Sequence, residues 1–276
     1  MSLRYTPDPV RCEAMSTEEL RASFLIDSLF AADEVSLVFS DLDRAIVGSA
    51  VPATKALALE ATPELRAGSF CERRELGVLN IGGPGTVTVD GEPHSLAKLD
   101  GLYSGRGSRA ISFASDSAEN PARFYLLSFP AHASHPTVRV RQSEAEMVSL
   151  GSQETCNRRN LYKLIHPGGV KSCQLVMGFT RLEPGSVWNT MPPHTHERRM
   201  EVYLYFDLPP QARVFHLMGR PAATRHLVVG EREAVLSPSW SIHSGVGTGA
   251  YTFCWGMGGE NQAFDDMDAL TLGQLR

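Results

Sequence analysis

What most constrains this chain is its punctuation. Short runs rich in Val, Ile, Leu, Thr, Tyr and Phe are broken again and again by 24 glycines and 17 prolines. Helices of ordinary length do not survive such interruption, whereas short strands joined by turns are built from it. The stretch TVTVDGEPHSL shows the pattern: apolar and polar residues alternate on both sides of Asp90-Gly91, a dipeptide suited to a tight hairpin turn. Similar runs occur at SLVFSDLDRAIVG, ARFYLLSF, SCQLVMGFTRL, MEVYLYFDL, ARVFHLM, TRHLVVG, EAVLSPSW and AYTFCWGM. Many short strands at this spacing predict an all-β sandwich or barrel. One helix signal stands out: Ser16 with Glu19 three positions on is a capping box, and Leu20 and Phe24 share the face of a short helix running to about Ile26.

The β-rich pattern also looks duplicated. Cys71-Glu72-Arg73-Arg74-Glu75-Leu76-Gly77-Val78 is similar to His196-Glu197-Arg198-Arg199-Met200-Glu201-Val202, and each is followed by several strands and a Gly/Ser-rich turn. The less regular stretch from about Pro130 to Gly169 reads as the connection between two copies. A length of 276 residues accommodates two compact halves.

Composition removes several functional classes. Lys plus Arg is 26 against 31 for Asp plus Glu, so the formal charge of −5 offers no electrostatic footprint for nucleic acid. No stretch approaches the roughly 20 apolar residues of a membrane span. The N-terminal MSLRYTPDPV has no apolar signal-peptide core, so the chain is expected to be cytoplasmic. The 5 cysteines are scattered and form no C-x-x-C pair, which argues against a disulfide framework or a thiolate zinc site.

Chemistry concentrates between Trp188 and Tyr203, in WNTMPPHTHERRMEVY. His194 and His196 are two apart, so in a strand both imidazoles leave the same face and converge as metal ligands do. Glu201 lies an odd number of residues beyond His196. It can join them only if a turn or bulge intervenes. His243, in SWSIHSG, is placed to return across the barrel as a fourth ligand. Three imidazoles and a carboxylate suit Zn²⁺ and also accept Fe²⁺ or Mn²⁺. The arginine pairs Arg158-Arg159 and Arg198-Arg199 would suit an anionic substrate near such a site.

These strings, together with FDLPPQARVFHLMG, SPSWSIHSGVGTGAYTFCWGMGGENQAFDDMD and the early ERRELGVLNIGG, resemble the bacterial 5-keto-4-deoxyuronate isomerase family, the 4-deoxy-L-threo-5-hexosulose-uronate ketol-isomerases. The likeness runs from about Leu20 to Arg276. It implies two cupin-type β-barrels (a bicupin) with a few short helices. The corresponding division is an arm with a short helix over 1–28, a barrel without a metal site over 29–150, and a metal-bearing barrel over 151–276. It places the metal ligands on His194, His196, Glu201 and His243, with zinc as the metal, and leaves Ser69 and Cys71 where the histidine pair would stand in the first copy. It also implies a homohexamer acting on a small anionic keto-uronate from pectin breakdown, with neither nucleic acid nor membrane as partner.

The implied reaction moves a carbonyl from C1 to C2, so charge develops on substrate oxygen and a proton must travel between the two carbons. Lys163, Tyr203 and Glu260 are candidates for that proton by chemical type and expected placement near the barrel mouth. Arg158, Arg159 and Arg199 are candidates for the substrate carboxylate. An iron-dependent cupin dioxygenase and a non-catalytic, uronate-binding bicupin are the other readings open to such residues.

Overall fold

The structure is a computed structural model that describes residues 1–276 apart from Phe264. The chain forms two compact units, each drawn from separate stretches: 1–4, 28–145 and 164–176 in the first, and 5–27, 146–163 and 177–276 in the second.

In the first unit a seven-stranded sheet runs in the order Ser2–Arg4, Val35–Ser40, Ile46–Ala50, Phe124–Pro130, Arg74–Asn80, Gly101–Ser104, Val138–Val140. A four-stranded sheet runs Leu57–Ala58, Ile111–Ser115, Gly85–Val89, Glu92–Leu96. Val87, Val89 and Phe113 of the smaller sheet share one buried cluster with Leu76, Val78, Leu102, Phe124 and Leu126 of the larger. Between Val87 and Val89 lies the less buried Thr88, so the alternation read in the sequence is the inside and outside of one strand. The predicted hairpin is present, with Asp90 and Gly91 both at positive φ (50° and 87°) as a two-residue turn of this type requires.

Within the first unit the stretch 164–176 is anchored on Glu75. Its fully buried carboxylate accepts hydrogen bonds from the Tyr103 hydroxyl (2.8 Å) and from the backbone amides of Cys173 (2.7 Å), Gln174 (2.9 Å) and Leu175 (2.8 Å). A buried charge needs such partners, and these draw the stretch 164–176 back to the first unit.

The second unit repeats the plan. Its larger sheet runs Glu146–Leu150, Arg159–Ile165, Val176–Leu182, Thr252–Gly259, Arg199–Phe206, Ala234–Ser237, Leu25–Ile26, and its smaller sheet Trp188–Asn189, Ser244–Gly247, Val214–Arg220, Ala223–Val229. A third, two-stranded sheet pairs His194–Thr195 with Asp268–Ala269. The architecture is therefore the expected all-β pair of barrels. Register makes the duplication concrete. Leu76 pairs with Ser104 as Glu201 pairs with Ser237, so Leu76 occupies the position of Glu201 at the same offset that aligns Arg74 with Arg199.

Three expectations need adjustment. The helix capped by Ser16 has its capping box but ends at Phe24; Leu25 and Ile26 instead pair with Val235 and Ala234 in the sheet. A second helix, Pro9–Glu13, capped by Asp8, had gone unread. The stretch 130–169 is not merely a connection, since it carries the strands Val138–Val140, Glu146–Leu150 and Arg159–Ile165. Among the described residues no helix is long and apolar enough to cross a membrane.

Candidate metal centre

The site is built on the strand Arg199–Phe206, buried along its whole length. Arg199, Glu201 and Tyr203 point to the same side by the period-2 rule, and all three line a cavity of about 270 Å³. The neighbouring strand Thr252–Gly259 adds Phe253, Trp255 and Met257 by the same alternation. Close approach of that strand depends on Gly178, where a β-carbon would overlap the Trp255 ring and the Tyr162 carbonyl. Leu150, Leu161, Met191, Pro192 and Met267 complete a largely apolar wall.

The parity problem posed by Glu201 is solved by a change of strand. His194 belongs to the two-residue strand His194–Thr195, the chain turns through 196–198, and Glu201 rises from the next strand. His243 arrives immediately before the strand Ser244–Gly247. One ligand atom from each of His194, His196, Glu201 and His243 lies within 4.8 Å of the others. The closest separations are 3.0 Å between the Nε2 atoms of His194 and His243, 3.0 Å from His243 Nε2 to Glu201 Oε2, and 3.1 Å from His196 Nε2 to the same oxygen. Tetrahedral coordination at about 2.1 Å requires ligand atoms about 3.4 Å apart, a value that the spacings, from 3.0 Å to at most 4.8 Å, bracket.

The donor chemistry also fits a cation. His196 Nδ1 donates to the Arg199 carbonyl (3.2 Å), which orients its Nε2 towards the Glu201 carboxylate. His243 Nδ1 meets the Ser237 hydroxyl (3.3 Å) and aims Nε2 at the same point. Burial, with His243 alongside, pushes the His194 imidazole down to about 3, which keeps it neutral. Burial alone would raise the Glu201 carboxyl, but His243 and His196 outweigh it and hold the group below the usual carboxylate range. Three imidazoles crowding one buried carboxylate form a donor set that a divalent metal would complete.

The remaining candidates separate cleanly. Tyr203 is 3% exposed, lines the cavity, and shares a hydrogen bond with Thr190 Oγ1 at 3.0 Å. Burial, followed by the Glu201 charge, raises its phenol well above the ordinary value, so it keeps its proton. Lys163 pairs with Glu146 at 2.6 Å and is not part of the cavity wall. Glu260 is exposed and likewise outside the wall. Of the arginines, Arg158 is exposed and outside the cavity. Arg199 lines the cavity, but its Nη atoms donate to the carbonyls of Ala263 (2.6 Å) and Asp266 (3.2 Å). Arg159 lines it too and spends one Nη1 donor on the Asn157 carbonyl (2.8 Å). Burial lowers the Arg159 guanidinium, against the smaller opposing effect of Tyr203 and Tyr251. Thr190 and the apolar wall had gone unread, although the alternation of Phe253, Trp255 and Met257 was visible in the sequence.

Solved structures with a similar fold include an IolB-like protein from Salmonella typhimurium, with a TM-score of 0.71 over 90% of this chain and 97% of that one at 12% identity. A variant of Bacillus subtilis oxalate decarboxylase aligns with a TM-score of 0.56 over 79% of this chain and 70% of that one at 11% identity. At such identities the likeness speaks for the cupin fold alone. Closer relatives are the 4-deoxy-L-threo-5-hexosulose-uronate ketol-isomerases of Lachnoclostridium phytofermentans (56% identical) and Kineococcus radiotolerans (54%), each matched over 100% of both chains. The enzyme of that name from Escherichia coli is 50% identical over the same full extent. The KduI/IolB family profile matches residues 25–272. With the barrels, the histidine–glutamate cluster and full-length relatives all in agreement, the chain belongs to the KduI/IolB family.

Proposed function

We propose that the protein is a metal-dependent aldose–ketose isomerase. It converts 5-dehydro-4-deoxy-D-glucuronate, the linear 4-deoxy-L-threo-5-hexosulose uronate, into 3-deoxy-D-glycero-2,5-hexodiulosonate in the breakdown of pectin and related uronate polymers. The observation that carries this reading is the 56% identity, over the full length of both chains, to a ketol-isomerase of that name. The cluster His194, His196, Glu201 and His243, opening on a cavity with a guanidinium in its wall, supports it.

In this reading the four side chains hold zinc, which when bound supplies Lewis-acid stabilisation for charge developing on substrate oxygen. The chain's own groups do the rest. Arg159 takes the C6 carboxylate and so sets which end of the substrate enters first. The apolar wall of Leu161, Phe253, Trp255 and Met257 keeps water from the reacting carbons. Tyr203 holds a proton at the substrate's C1 or C2 oxygen. As the C2 hydrogen transfers to C1, the C2 hydroxyl gives up its proton and the C1 oxygen gains one, so the reaction balances without an external oxidant. A homohexamer and a cytoplasmic setting belong to the same proposal, carried by the resemblance.

The test is turnover of the linear uronate by purified protein in D₂O, followed by NMR, with elemental analysis of the same sample. Formation of the diulosonate by zinc-containing protein is the expected result, and deuterium at the new hydroxymethyl carbon would report proton transfer through solvent. Metal-loaded protein that leaves the substrate unchanged would overturn the proposal.

A carboxylate anchor at Arg159 has its own signature. Hydrogen bonds to charged groups contribute about 1.5–3 kcal/mol. Arg159→Met is therefore expected to raise KM by about 10- to 100-fold with a smaller change in kcat, measured by steady-state kinetics. An unchanged KM would move the anchor elsewhere.

A further inference from the structure

The four candidate ligands are not held equally. His196, Glu201 and His243 are buried, at 2%, 3% and 1% exposed, and each is fixed by a side-chain or strand contact already described. His194 is only half-buried, and its Nδ1 makes no hydrogen bond among the described residues. It sits on a two-residue strand, a length that does not hold itself in place. What that strand pairs with is the far C-terminal segment: His194 opposite Ala269 and Thr195 opposite Asp268, with the Leu270 amide donating to the Pro193 carbonyl at 3.3 Å.

That segment is in turn fastened by Arg198, which lies between the histidine pair and Glu201. Arg198 Nε donates to both carboxylate oxygens of Asp266 (2.8 and 2.9 Å), and Nη2 reaches Asp266 (2.7 Å) and Asp268 (3.0 Å). Asn261 Nδ2 adds a bond to Asp266 at 2.7 Å, and the Glu260 amide donates to the Arg198 carbonyl at 2.9 Å. The bidentate geometry gives direction as well as charge. A single exposed ion pair carries little, but here one guanidinium meets two carboxylates and the backbone on both sides is paired.

We infer that Arg198, Asp266 and Asp268 form a latch that closes the C-terminal segment over the His194 strand, making Arg198 a positioning residue for metal binding. The inference rests on the metal reading proposed above. None of the three side chains lines the cavity, although the Asp266 carbonyl accepts from Arg199, which does; the latch acts by holding the backbone that presents His194. Groups that orient metal ligands commonly change affinity by about 10- to 100-fold when removed.

The measurement is zinc affinity of the full-length protein by competition with a chromophoric chelator, alongside the thermal midpoint of the metal-free form. Arg198→Met and, separately, the Asp266→Asn/Asp268→Asn pair are expected to weaken zinc binding by about 10- to 100-fold. The metal-free midpoint should stay close to that of the parent, and Arg198→Lys should recover part of the loss. Affinity unchanged within about twofold in both variants would overturn the latch while leaving the isomerase reading intact. So would a metal-free midpoint that falls as far as binding does, since that marks general destabilisation. Failure of the parent protein itself to bind zinc would overturn both readings together.

Discussion

Glu201→Gln is expected to abolish turnover, lowering kcat/KM by at least about 10³-fold, because the Lewis-acid contribution at stake is several kcal/mol and each 1.4 kcal/mol is a factor of ten. The substitution keeps the shape of the side chain and removes its charge. Glu201 supplies the only anionic atom of the cluster, and His196 and His243 both reach the same oxygen, at 3.1 and 3.0 Å. Three imidazoles facing an amide lack the counter-charge that a buried divalent ion needs. Elemental analysis should therefore find the variant depleted of metal, and added zinc should restore little activity. Near-normal activity in a metal-depleted Glu201→Gln protein would remove the metal from the mechanism. Near-normal metal content would remove Glu201 from the ligand set.

Tyr203→Phe is the second large effect. A positioned proton donor contributes about 10²–10⁴-fold to a step of this kind. Tyr203 is the one member of Lys163, Tyr203 and Glu260 that lines the cavity, and it follows Glu201 by two residues on the same strand, so ligand and hydroxyl face one space. We expect kcat to fall by about 10²-fold or more with KM little changed, the pattern of an interaction made chiefly in the transition state. Metal content should be unaltered. Loss of the hydroxyl strips Thr190 of one partner, at a cost of about 1 kcal/mol in stability, so a midpoint close to the parent's is the control that the fold survives. A variant with full kcat would place the proton elsewhere.

Several features of the protein are legible in the sequence alone. The hairpin around Asp90-Gly91 and the helix capped by Ser16 are decided within a few residues, by backbone sterics and by one reciprocal pair of hydrogen bonds, so local sequence suffices for them. The metal cluster was legible for a related reason. The odd step from His196 to Glu201 demands a turn, which the structure places at 196–198, although the strand ends at Thr195 and His196 joins His194 from that turn and not from a shared strand face.

Other features depended on residues far apart in the chain. Arg158 and Arg159 are neighbours with the same side chain, yet Arg158 stays exposed before the strand while Arg159 starts it and enters the cavity wall with Leu161, two residues on. Arg199 also faces the cavity, but carbonyls more than 60 positions away occupy its Nη donors, which no local pattern announces. The exchange of 164–176 into the first unit turns on the buried Glu75 carboxylate, and the hold on His194 turns on Asp266 and Asp268. Sequence by itself determined the strand alternation, the tight turn, the helix cap and the candidate ligand types, all set by short-range geometry. Tertiary structure alone decided which of the candidate arginines and candidate proton donors line the cavity and what holds the His194 strand, because each depends on strand register and on hydrogen bonds that close only when distant segments meet.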